Sequence, residues 1–569
     1  MDIRLKQKFA EDKPISIQSD LTILLDDRME QADEVKERLA IWAELQSMAG
    51  HIHLYKITTL TLWNAVSMGE NDKKLLQWLK EKSMNGLPLQ AEGTIRGWIS
   101  RFGKAVLFYH EQHLILAFDP SLLANHSFVE LIDQWCVEQV TETRYIVNPE
   151  NRGMIKQHFT RSGFPIIDQA GYIAGESLAV HLRTKTSSGE QLALRSYQQE
   201  AVGRWHHQTE WLCGSGVAVL PCGAGKTIIG IAALCLVGKA TLILTSSETS
   251  VQQWKRELID KTTIRETDIG IYSGLTREVR PITIATYHIL THRRHKTAAF
   301  EHMKLFTERQ WGMIIYDEVH LLPAPVFRMT ANIQATRRLG LTATLIREDG
   351  CAEDVYSLIG PKIYDMNWKK AESMQVIATV TCTEISIPLD PSMTSDYESA
   401  TVRQRLRLAA ENKRKEVVVQ QLLHKHEDEP ILIIGQYLEQ LIEIAALIQA
   451  PIITGQVPQA KRDELFQQFK AGKIKRLVLS KVANLAVDLP DAQVAIQISG
   501  SFGSRQEEAQ RIGRLLRPKR DNQAWFYTLV TDQSKEMEFA LKRQLFMLEQ
   551  GYHYERVHWD DQEQEVERK

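Results

Sequence analysis

A short glycine-rich segment constrains this chain more than any other part of it. The apolar stretch Val217–Leu220 predicts a buried strand, and it runs directly into the loop Pro221–Thr227, which an apolar helix pattern at 228–234 follows. At such a junction, glycines let backbone N–H groups close around phosphate oxygens at a helix N-terminus. The residues predicted to bind a nucleoside triphosphate here are Gly223, Gly225, Lys226 and Thr227.

The lysine and the threonine of this loop have separate predicted roles. Lys226 should reach the β- and γ-phosphates of ATP, and Thr227 should bind Mg²⁺. Leu220 stands where the usual G-x-x-x-x-G-K-[ST] pattern has its first glycine, so the alternative is a glycine-rich turn with an exposed lysine. The flanking strand and helix patterns favour the phosphate site.

Length and composition are those of a multidomain globular protein. The 569 residues exceed what one hydrophobic core usually supports, so we expect three or four domains. No apolar run reaches the length of a membrane span, and the charged start of the chain differs from a signal peptide. We therefore expect a cytoplasmic protein with no membrane partner. A net charge of −2 gives no global reason to expect nucleic acid, so that prediction must rest on local basic clusters.

Strand and helix patterns predict an α/β fold with two parallel-sheet lobes, preceded by small α+β N-terminal domains. Short, continuously apolar strands alternate with helices after the phosphate loop, and the same pattern restarts after residue 359. The predicted domains are an N-terminal α+β domain (1–138), a second small unit with a linker (139–190), an ATP-binding first lobe (191–365), a second lobe (366–552) with an insertion near 390–425, and a C-terminal tail (553–569).

An acidic pair follows one of the predicted strands of the first lobe. Asp317 and Glu318 come directly after the apolar strand 313–316, at the strand end where parallel sheets bind ligands. Asp317 is predicted to hold Mg²⁺, generally through water, and Glu318 to take the proton of the water that attacks the γ-phosphate. The alternative for an acidic pair is a solvated loop. The hydroxyls of Thr342–Thr344, at the end of another short strand, are able to hydrogen-bond this motif and relay the nucleotide state.

Two further segments are assigned to ATP. Gln198 lies upstream of the phosphate loop, where its amide is placed to hydrogen-bond an adenine edge, and Arg195 belongs to the same segment. In the second lobe, Gln510, Arg514 and Arg517 recur at i, i+4 and i+7 and therefore share one helical face. The two arginines are predicted to act as arginine fingers on a γ-phosphate bound by the first lobe.

Together these motifs resemble those of superfamily-two helicases, and the residues within and around them resemble the XPB family more closely still. The phosphate loop, Asp-Glu-x-His, Thr-Ala-Thr and Gln-Arg-x-Gly-Arg occur in that order, with further likeness at Tyr316–Ala324, Gly340–Asp349 and Lys542–Tyr552. The resemblance is strong from Leu194 to about Tyr552. It implies two RecA-like lobes, 3′-to-5′ movement on DNA, nucleotide excision repair, a damage-recognition domain near 140–183, and Asp488 near the nucleotide sugar. The shorter ends of the chain resemble a prokaryotic form, expected at the nucleoid.

The resemblance also implies residues that separate or contact DNA. Arg347, Glu348 and Asp349 match a tripeptide tied to strand separation, and 403–416 falls where a thumb-like insertion contacts DNA. A second basic run follows a strand where such motors grip phosphates. The alternative for both basic runs is a solvated face. The predicted DNA contacts are Arg293, Arg294, Arg403, Arg405 and Arg407, with Lys413, Arg414 and Lys415 in the same second-lobe cluster.

Three functions remain open at the level of sequence. The leading one is an ATP-driven helicase or translocase on double-stranded, forked or damaged DNA, with ATP and Mg²⁺ as its cofactors. The second is an ATP-switched clamp or scaffold on double-stranded DNA that recruits a partner nuclease with little unwinding, and it requires the same ATPase. The third is a P-loop kinase or small-molecule ATPase, which the second lobe with its arginine motif disfavours.

Overall fold

The computed structural model describes residues 13–170, 175–206, 214–293, 295, 301–322, 337–344, 352–480, 492–500, 512–513, 515, 522–552 and 554–559. These residues form two compact units. The first comprises residues up to Leu220 together with Gly225–Asp365, and the second comprises Pro221–Ala224 together with the chain from Met366 onward.

An antiparallel sheet with four helices begins the first unit. Its strand order is β1-β2-β4-β3, and inward side chains such as Ile15, Ile23 and Leu25 are fully buried, as the alternation of apolar residues predicts. The elements are β1 (Ile15–Ile17), β2 (Thr22–Asp26), α1 (Ala32–Trp42), β3 (Glu44–Ala49), β4 (Ile52–Lys56), α2 (Thr59–Ser67), α3 (Asp72–Lys82) and α4 (Leu89–Ser100).

A second sheet of the first unit crosses the domain boundary predicted at 138/139. Its order is β7-β8-β6-β5-β9, and β7 spans that boundary because it pairs along its length with β8. The described small sheet therefore starts at Ala105, before the predicted boundary. Its elements are β5 (Ala105–His110), β6 (His113–Phe118), α5 (His126–Trp135), β7 (Cys136–Thr141), β8 (Arg144–Val147), α6 (Arg152–Arg161) and β9 (Ile166–Asp168).

Buried charges hold helix α6 in place. Asp168, at the end of β9, accepts hydrogen bonds from Arg152 at 2.6 Å and from Lys156 at 2.9 Å, and all three side chains are at most 6% exposed. One turn beyond, Arg161 pairs with both carboxylate oxygens of Asp354 at 2.8 Å. Because Asp354 lies beyond the phosphate loop in sequence, this pair joins the small sheet to the ATP-binding part of the same unit.

A seven-stranded sheet, parallel throughout, completes the first unit. Its order is β12-β13-β11-β14-β15-β10-β16, and its central strands are buried on both faces, as their continuous apolar sequences predict. The elements are α7 (Ser196–His206), β10 (Ser215–Val219), α8 (Lys226–Val237), β11 (Thr241–Thr245), α9 (Glu248–Lys261), β12 (Ile269–Tyr272), β13 (Ile282–Thr286), α10 (Tyr287–Thr291), β14 (Met313–Asp317), β15 (Arg337–Thr342), α11 (Ala352–Ile359) and β16 (Lys362–Asp365).

The second unit contains another parallel sheet of seven strands, in the order β19-β20-β18-β21-β22-β17-β23. Two parallel-sheet lobes were predicted, and both are confirmed. The strands are β17 (Thr379–Ile387), β18 (Ile431–Gly435), β19 (Ile452–Ile453), β20 (Arg476–Ser480), β21 (Val494–Gln497), β22 (Gln523–Thr531) and β23 (Tyr554–His558). The helices are α12 (Trp368–Ser373), α13 (Thr394–Ser399), α14 (Val402–Ala410), α15 (Arg414–Lys425), α16 (Leu438–Leu447), α17 (Gln459–Lys470) and α18 (Lys535–Glu549).

Strand β23 lies where the sequence predicted a tail from residue 553. It pairs in parallel with β17, and the next residue, Trp559, is buried with its indole N–H 2.9 Å from Oε1 of Gln421. The sequence did not predict this short edge strand, because its side chains are mostly exposed and it lacks the apolar pattern of a buried strand.

Candidate nucleotide site

The phosphate loop has the backbone geometry that its glycines predict. Gly223 and Gly225 have φ angles of +86° and +82°, in the left-handed region where a residue with a Cβ is strained. Gly225 is the N-cap of α8, so the first amides of that helix have no partner within the helix. A Cβ atom on Gly225 would lie 2.7 Å from Nε2 of Gln198. The loop backbone therefore excludes a side chain here and offers N–H groups to an anion.

Gln198 is buried directly beside this loop, near the start of α7. Its Oε1 accepts a hydrogen bond from the backbone N–H of Arg195 at 2.9 Å, and its Nε2 donates to the hydroxyl of Tyr197 at 3.3 Å. These two contacts fix which way the amide faces. The structure thus brings Gln198 against Gly225, while Arg195, also predicted at the nucleotide site, is exposed.

The acidic pair lies at the end of the central strand β14. Lys226, in the first turn of α8, places its Nζ 3.6 Å from Oε1 of Glu318. Glu318 has φ +49° and ψ +54°, a left-handed conformation that ends the strand and turns its side chain away from the direction the strand would give it. The structure therefore brings Lys226 of the phosphate loop next to the acidic pair Asp317 and Glu318, and Thr227 follows in the same helical turn, half-buried.

Three groups fix Asp317. Its Oδ2 accepts the indole N–H of Trp254 at 2.8 Å, and its Oδ1 accepts the backbone N–H of Glu318 at 3.1 Å. The hydroxyl of Tyr287 donates to its backbone carbonyl at 2.8 Å. Sequence reasoning missed both aromatic residues. Trp254 shares the helix stripe of Val251 and Leu258, which is the pattern of an ordinary core position.

The carboxylates of Asp317 and Glu318 lie close enough to repel each other. Burial, followed by the negative charge of Glu318, raises the pKa of Asp317 to about 6, although the Trp254 hydrogen bond and the charge of Lys226 act in the opposite direction. Carboxylate and hydroxyl oxygens are the ligands that Mg²⁺ prefers. An added cation would relieve the repulsion, so the electrostatics of the pair suit a metal complex.

A buried hydrogen-bond chain connects the acidic motif to the Thr-Ala-Thr segment. His320 is fully buried; its Nδ1 lies 2.7 Å from Oγ1 of Thr342 and 3.5 Å from Oε2 of Glu318. Thr342 Oγ1 donates in turn to the backbone carbonyl of Thr344 at 2.5 Å. The contact predicted between these motifs is therefore present, with His320 as its link.

Two of the basic residues predicted to bind DNA, Arg405 and Arg407, contact other groups of the protein, and two others are exposed. Arg405 donates to two backbone carbonyls, of Tyr397 and Glu398, whereas Arg407 contacts the carboxylates of Glu411 and Glu439. Arg293 and Arg403 are exposed.

Lys415, from the same basic cluster, is fully buried. Its ammonium lies 2.8 Å from Glu536 and donates to the carbonyl of Ile498. It is a core ion pair rather than part of an exposed basic surface.

Eight predicted site residues lie outside the described residues: Arg294, Arg347, Glu348, Asp349, Asp488, Gln510, Arg514 and Arg517. Within the described ranges, no helix is long and apolar enough to cross a membrane, and no three histidine, cysteine or acidic side chains are grouped so that they could hold a metal ion.

A phosphate loop and a strand-end Asp-Glu pair on a parallel sheet, with a second parallel sheet later in the chain, define a P-loop nucleoside triphosphatase of the helicase type. Family comparisons agree with this class. Residues 372–569 match the ERCC3/RAD25/XPB C-terminal helicase family, 191–347 match the res subunit of type III restriction enzymes, and 15–138 match a domain described as a helicase conserved C-terminal domain.

Similar proteins extend the match to nearly the whole chain. A protein named DNA 3′-5′ helicase XPB from Kineococcus radiotolerans is 43% identical over 97% of this chain and 97% of its own length. Its namesake from Mycobacterium tuberculosis is 43% identical over 95% of this chain and 97% of its own length. The general transcription and DNA repair factor IIH helicase/translocase subunit XPB of Enterocytozoon bieneusi is 32% identical over 96% and 93%. The chain belongs to the XPB family of helicases.

Proposed function

We propose that this protein is an ATP-dependent DNA helicase or translocase that moves 3′-to-5′ and acts in DNA repair of the nucleotide excision type. The observation that carries the proposal is the Lys226–Glu318 contact of 3.6 Å beside Asp317, at the end of a parallel sheet and next to a left-handed glycine loop. Relatives named as DNA 3′-5′ helicases, at 43% identity over almost the full length, support the substrate and the polarity.

The residues of the first lobe fit a magnesium–ATP complex. Gly225 leaves space that a Cβ would fill, and the helix N-terminus beside it directs backbone N–H groups and the positive end of the helix dipole toward phosphate oxygens. Asp317 and Thr227 would hold the ion through oxygen atoms, since Mg²⁺ is usually bound by only one or two protein side chains together with substrate phosphates and water. When bound, the ion supplies charge neutralisation at the β- and γ-phosphates.

Each side chain then has a distinct task in hydrolysis. Lys226 holds the phosphates, and the 3.6 Å contact keeps its ammonium near Glu318 before nucleotide arrives. Glu318 accepts the proton of the attacking water through a carboxylate oxygen. Gln198, with its amide fixed by Arg195 N–H and Tyr197, hydrogen-bonds the adenine edge.

Residues outside the described ranges complete the proposal on the strength of their sequence motifs. Arg514 and Arg517, which follow Gln510 at i+4 and i+7 in the sequence, stabilise the charge on the transferred phosphoryl group. Asp488 contacts the nucleotide sugar. We assign strand separation to Arg347, Glu348 and Asp349, and phosphate contacts along DNA to Arg294. Within the described ranges, the same phosphate contacts are assigned to Arg293, Arg403, Arg405 and Arg407. The same proposal gives the damage-recognition-like function to the small sheet that begins at Ala105, rather than to a unit that begins at 139, and it keeps the thumb-like insertion near 390–425.

The bacterial origin of the two relatives at 43% identity supports a role at nucleoid DNA in a prokaryotic cytoplasm. A partner nuclease, and the clamp function that would recruit it, remain the competing proposal because they need the same ATP site.

An uncoupling experiment separates the two functions. Alanine at Arg347, Glu348 and Asp349 should leave DNA-stimulated ATPase largely intact and reduce strand separation, since phosphate chemistry does not require these residues. Glu318→Gln serves as the control in which both activities disappear together. Equal loss of ATPase and strand separation in the triple variant would reject a dedicated unwinding role.

A further inference from the structure

Trp254 occupies an unusual place for a core tryptophan. It lies on α9 with only 1% of its surface exposed, and its indole N–H points at the carboxylate of Asp317, 2.8 Å from Oδ2. The other carboxylate oxygen accepts the N–H of Glu318 at 3.1 Å. Two donors from different elements therefore fix both the position and the rotation of this carboxylate.

The kind of donor matters for a metal ligand. An indole N–H is a donor only and carries no net charge, so it orients the carboxylate without neutralising it. An arginine or lysine in the same place would compete with a cation for the oxygens. Ligating carboxylates commonly need such an outer hydrogen bond to keep their orientation.

The indole of Trp254 packs against helix α8 at Gly230, where the helix has no side chain. A Cβ atom on Gly230 in α8 would lie 2.6 Å from Cη2 of Trp254 and 3.1 Å from Cδ1 of Leu341. Gly230 lies inside the helix, where alanine is normally favoured over glycine by about 1 kcal/mol. The close approach of the indole to α8 therefore explains why residue 230 is glycine rather than alanine.

We propose that Trp254 is a positioning residue that holds Asp317 ready for the magnesium ion of ATP, with Gly230 as the space that lets it do so. The inference rests on the metal role proposed above for Asp317. It assigns a task in nucleotide binding to a helix that contributes no ligand of its own.

The test measures how much Mg²⁺ strengthens binding of a fluorescent, non-hydrolysable ATP analogue to the full chain. Trp254→Phe keeps an aromatic ring and deletes the N–H. It should retain metal-free binding within about twofold and lose roughly 10- to 100-fold of the apparent Mg²⁺ affinity, the range typical of outer-shell carboxylate partners. Circular dichroism and thermal unfolding of each variant establish that it is folded.

Trp311→Phe is the matched control. It deletes a buried indole hydrogen bond of 2.9 Å to a backbone carbonyl, that of Leu305, in the same lobe. This variant should lose stability but keep the wild-type response to Mg²⁺. If Trp254→Phe behaves as Trp311→Phe does, the positioning role is overturned.

Two further variants separate this inference from the proposed function. Asp317→Asn should lose the Mg²⁺ response; if it keeps that response, the metal assignment of Asp317 falls and the positioning role with it. Gly230→Ala should reproduce the Trp254→Phe defect by displacing the indole, and it should add little further loss in a Trp254→Phe background, where the Cη2 atom is gone. A wild-type Mg²⁺ response in Gly230→Ala would contradict the role given to the close approach.

Discussion

Removing the charge of Asp317 should stabilise the protein in the absence of nucleotide, although it removes a proposed metal ligand. The pKa of this carboxyl rises from 3.8 to about 6 in the folded chain, first because of burial and then because of Glu318. A shift of about two units corresponds to at most about 3 kcal/mol. The side chain is half-buried, and the amide nitrogen of asparagine cannot accept either of the two N–H donors, so one donor loses its acceptor; we therefore expect a net gain of only about 1–2 kcal/mol in Asp317→Asn.

The sign of the pH dependence follows from the direction of the shift. The folded state holds the proton of Asp317 more tightly than the unfolded state, so the ionised carboxylate destabilises the fold above about pH 6. Below about pH 4 the carboxyl is protonated in both states, and this penalty disappears. The advantage of Asp317→Asn should therefore be full near pH 7.5 and decline as the pH falls from 6 toward 4.

Thermal unfolding with a chelator and without nucleotide measures this effect. At pH 7.5 the melting temperature of the first unit should rise by about 1–3 °C in Asp317→Asn. Asp20→Asn is the control, because its hydrogen bond to Lys56 lowers the pKa of Asp20 to about 2 and its substitution should destabilise at neutral pH. A lower melting temperature for Asp317→Asn at pH 7.5, or a gain that does not change with pH, would refute the electrostatic reasoning.

Three other predictions use the same geometry. Lys226→Ala should weaken ATP binding roughly 10- to 100-fold, whereas Glu318→Gln should keep ATP bound and lower kcat roughly 10²- to 10⁴-fold; titration with labelled ATP beside single-turnover hydrolysis distinguishes them. Arg514→Ala should retain ATP and lose about a thousandfold of DNA-stimulated hydrolysis in a steady-state assay. Asp168→Asn should destabilise the first unit by about 3–5 kcal/mol in urea unfolding, because it leaves two buried cations without their anion.

Much of the fold is readable from the sequence because the parallel strands are continuously apolar. Strands such as Ile282–Thr286 and Ile431–Gly435 are buried on both faces, and glycine loops and acidic strand ends mark where they meet ligands. The proximity of Lys226 and Glu318 follows from the same rule, since α8 and the end of β14 share one edge of the sheet.

Other features depend on contacts that no local pattern reports. The Trp254–Asp317 hydrogen bond joins residues 63 positions apart, and the tryptophan sits in an ordinary helix stripe. The sequence placed Lys415 in a basic cluster, but only the fold shows that it forms a buried ion pair with Glu536. Strand β23 was not predicted either, because its side chains are mostly exposed and only its pairing with β17 defines it as a strand.

Strand displacement measured beside ATP turnover on the same DNA tests the central proposal most directly. Matched duplexes with either a 3′ or a 5′ single-stranded tail would be incubated with the full chain, ATP and Mg²⁺, with Glu318→Gln as the inactive control. A 3′-to-5′ motor should displace the strand from the 3′-tailed duplex only, in proportion to ATP hydrolysed. DNA-stimulated hydrolysis with no displacement from either duplex and no movement along DNA would contradict the motor and favour the ATP-switched clamp.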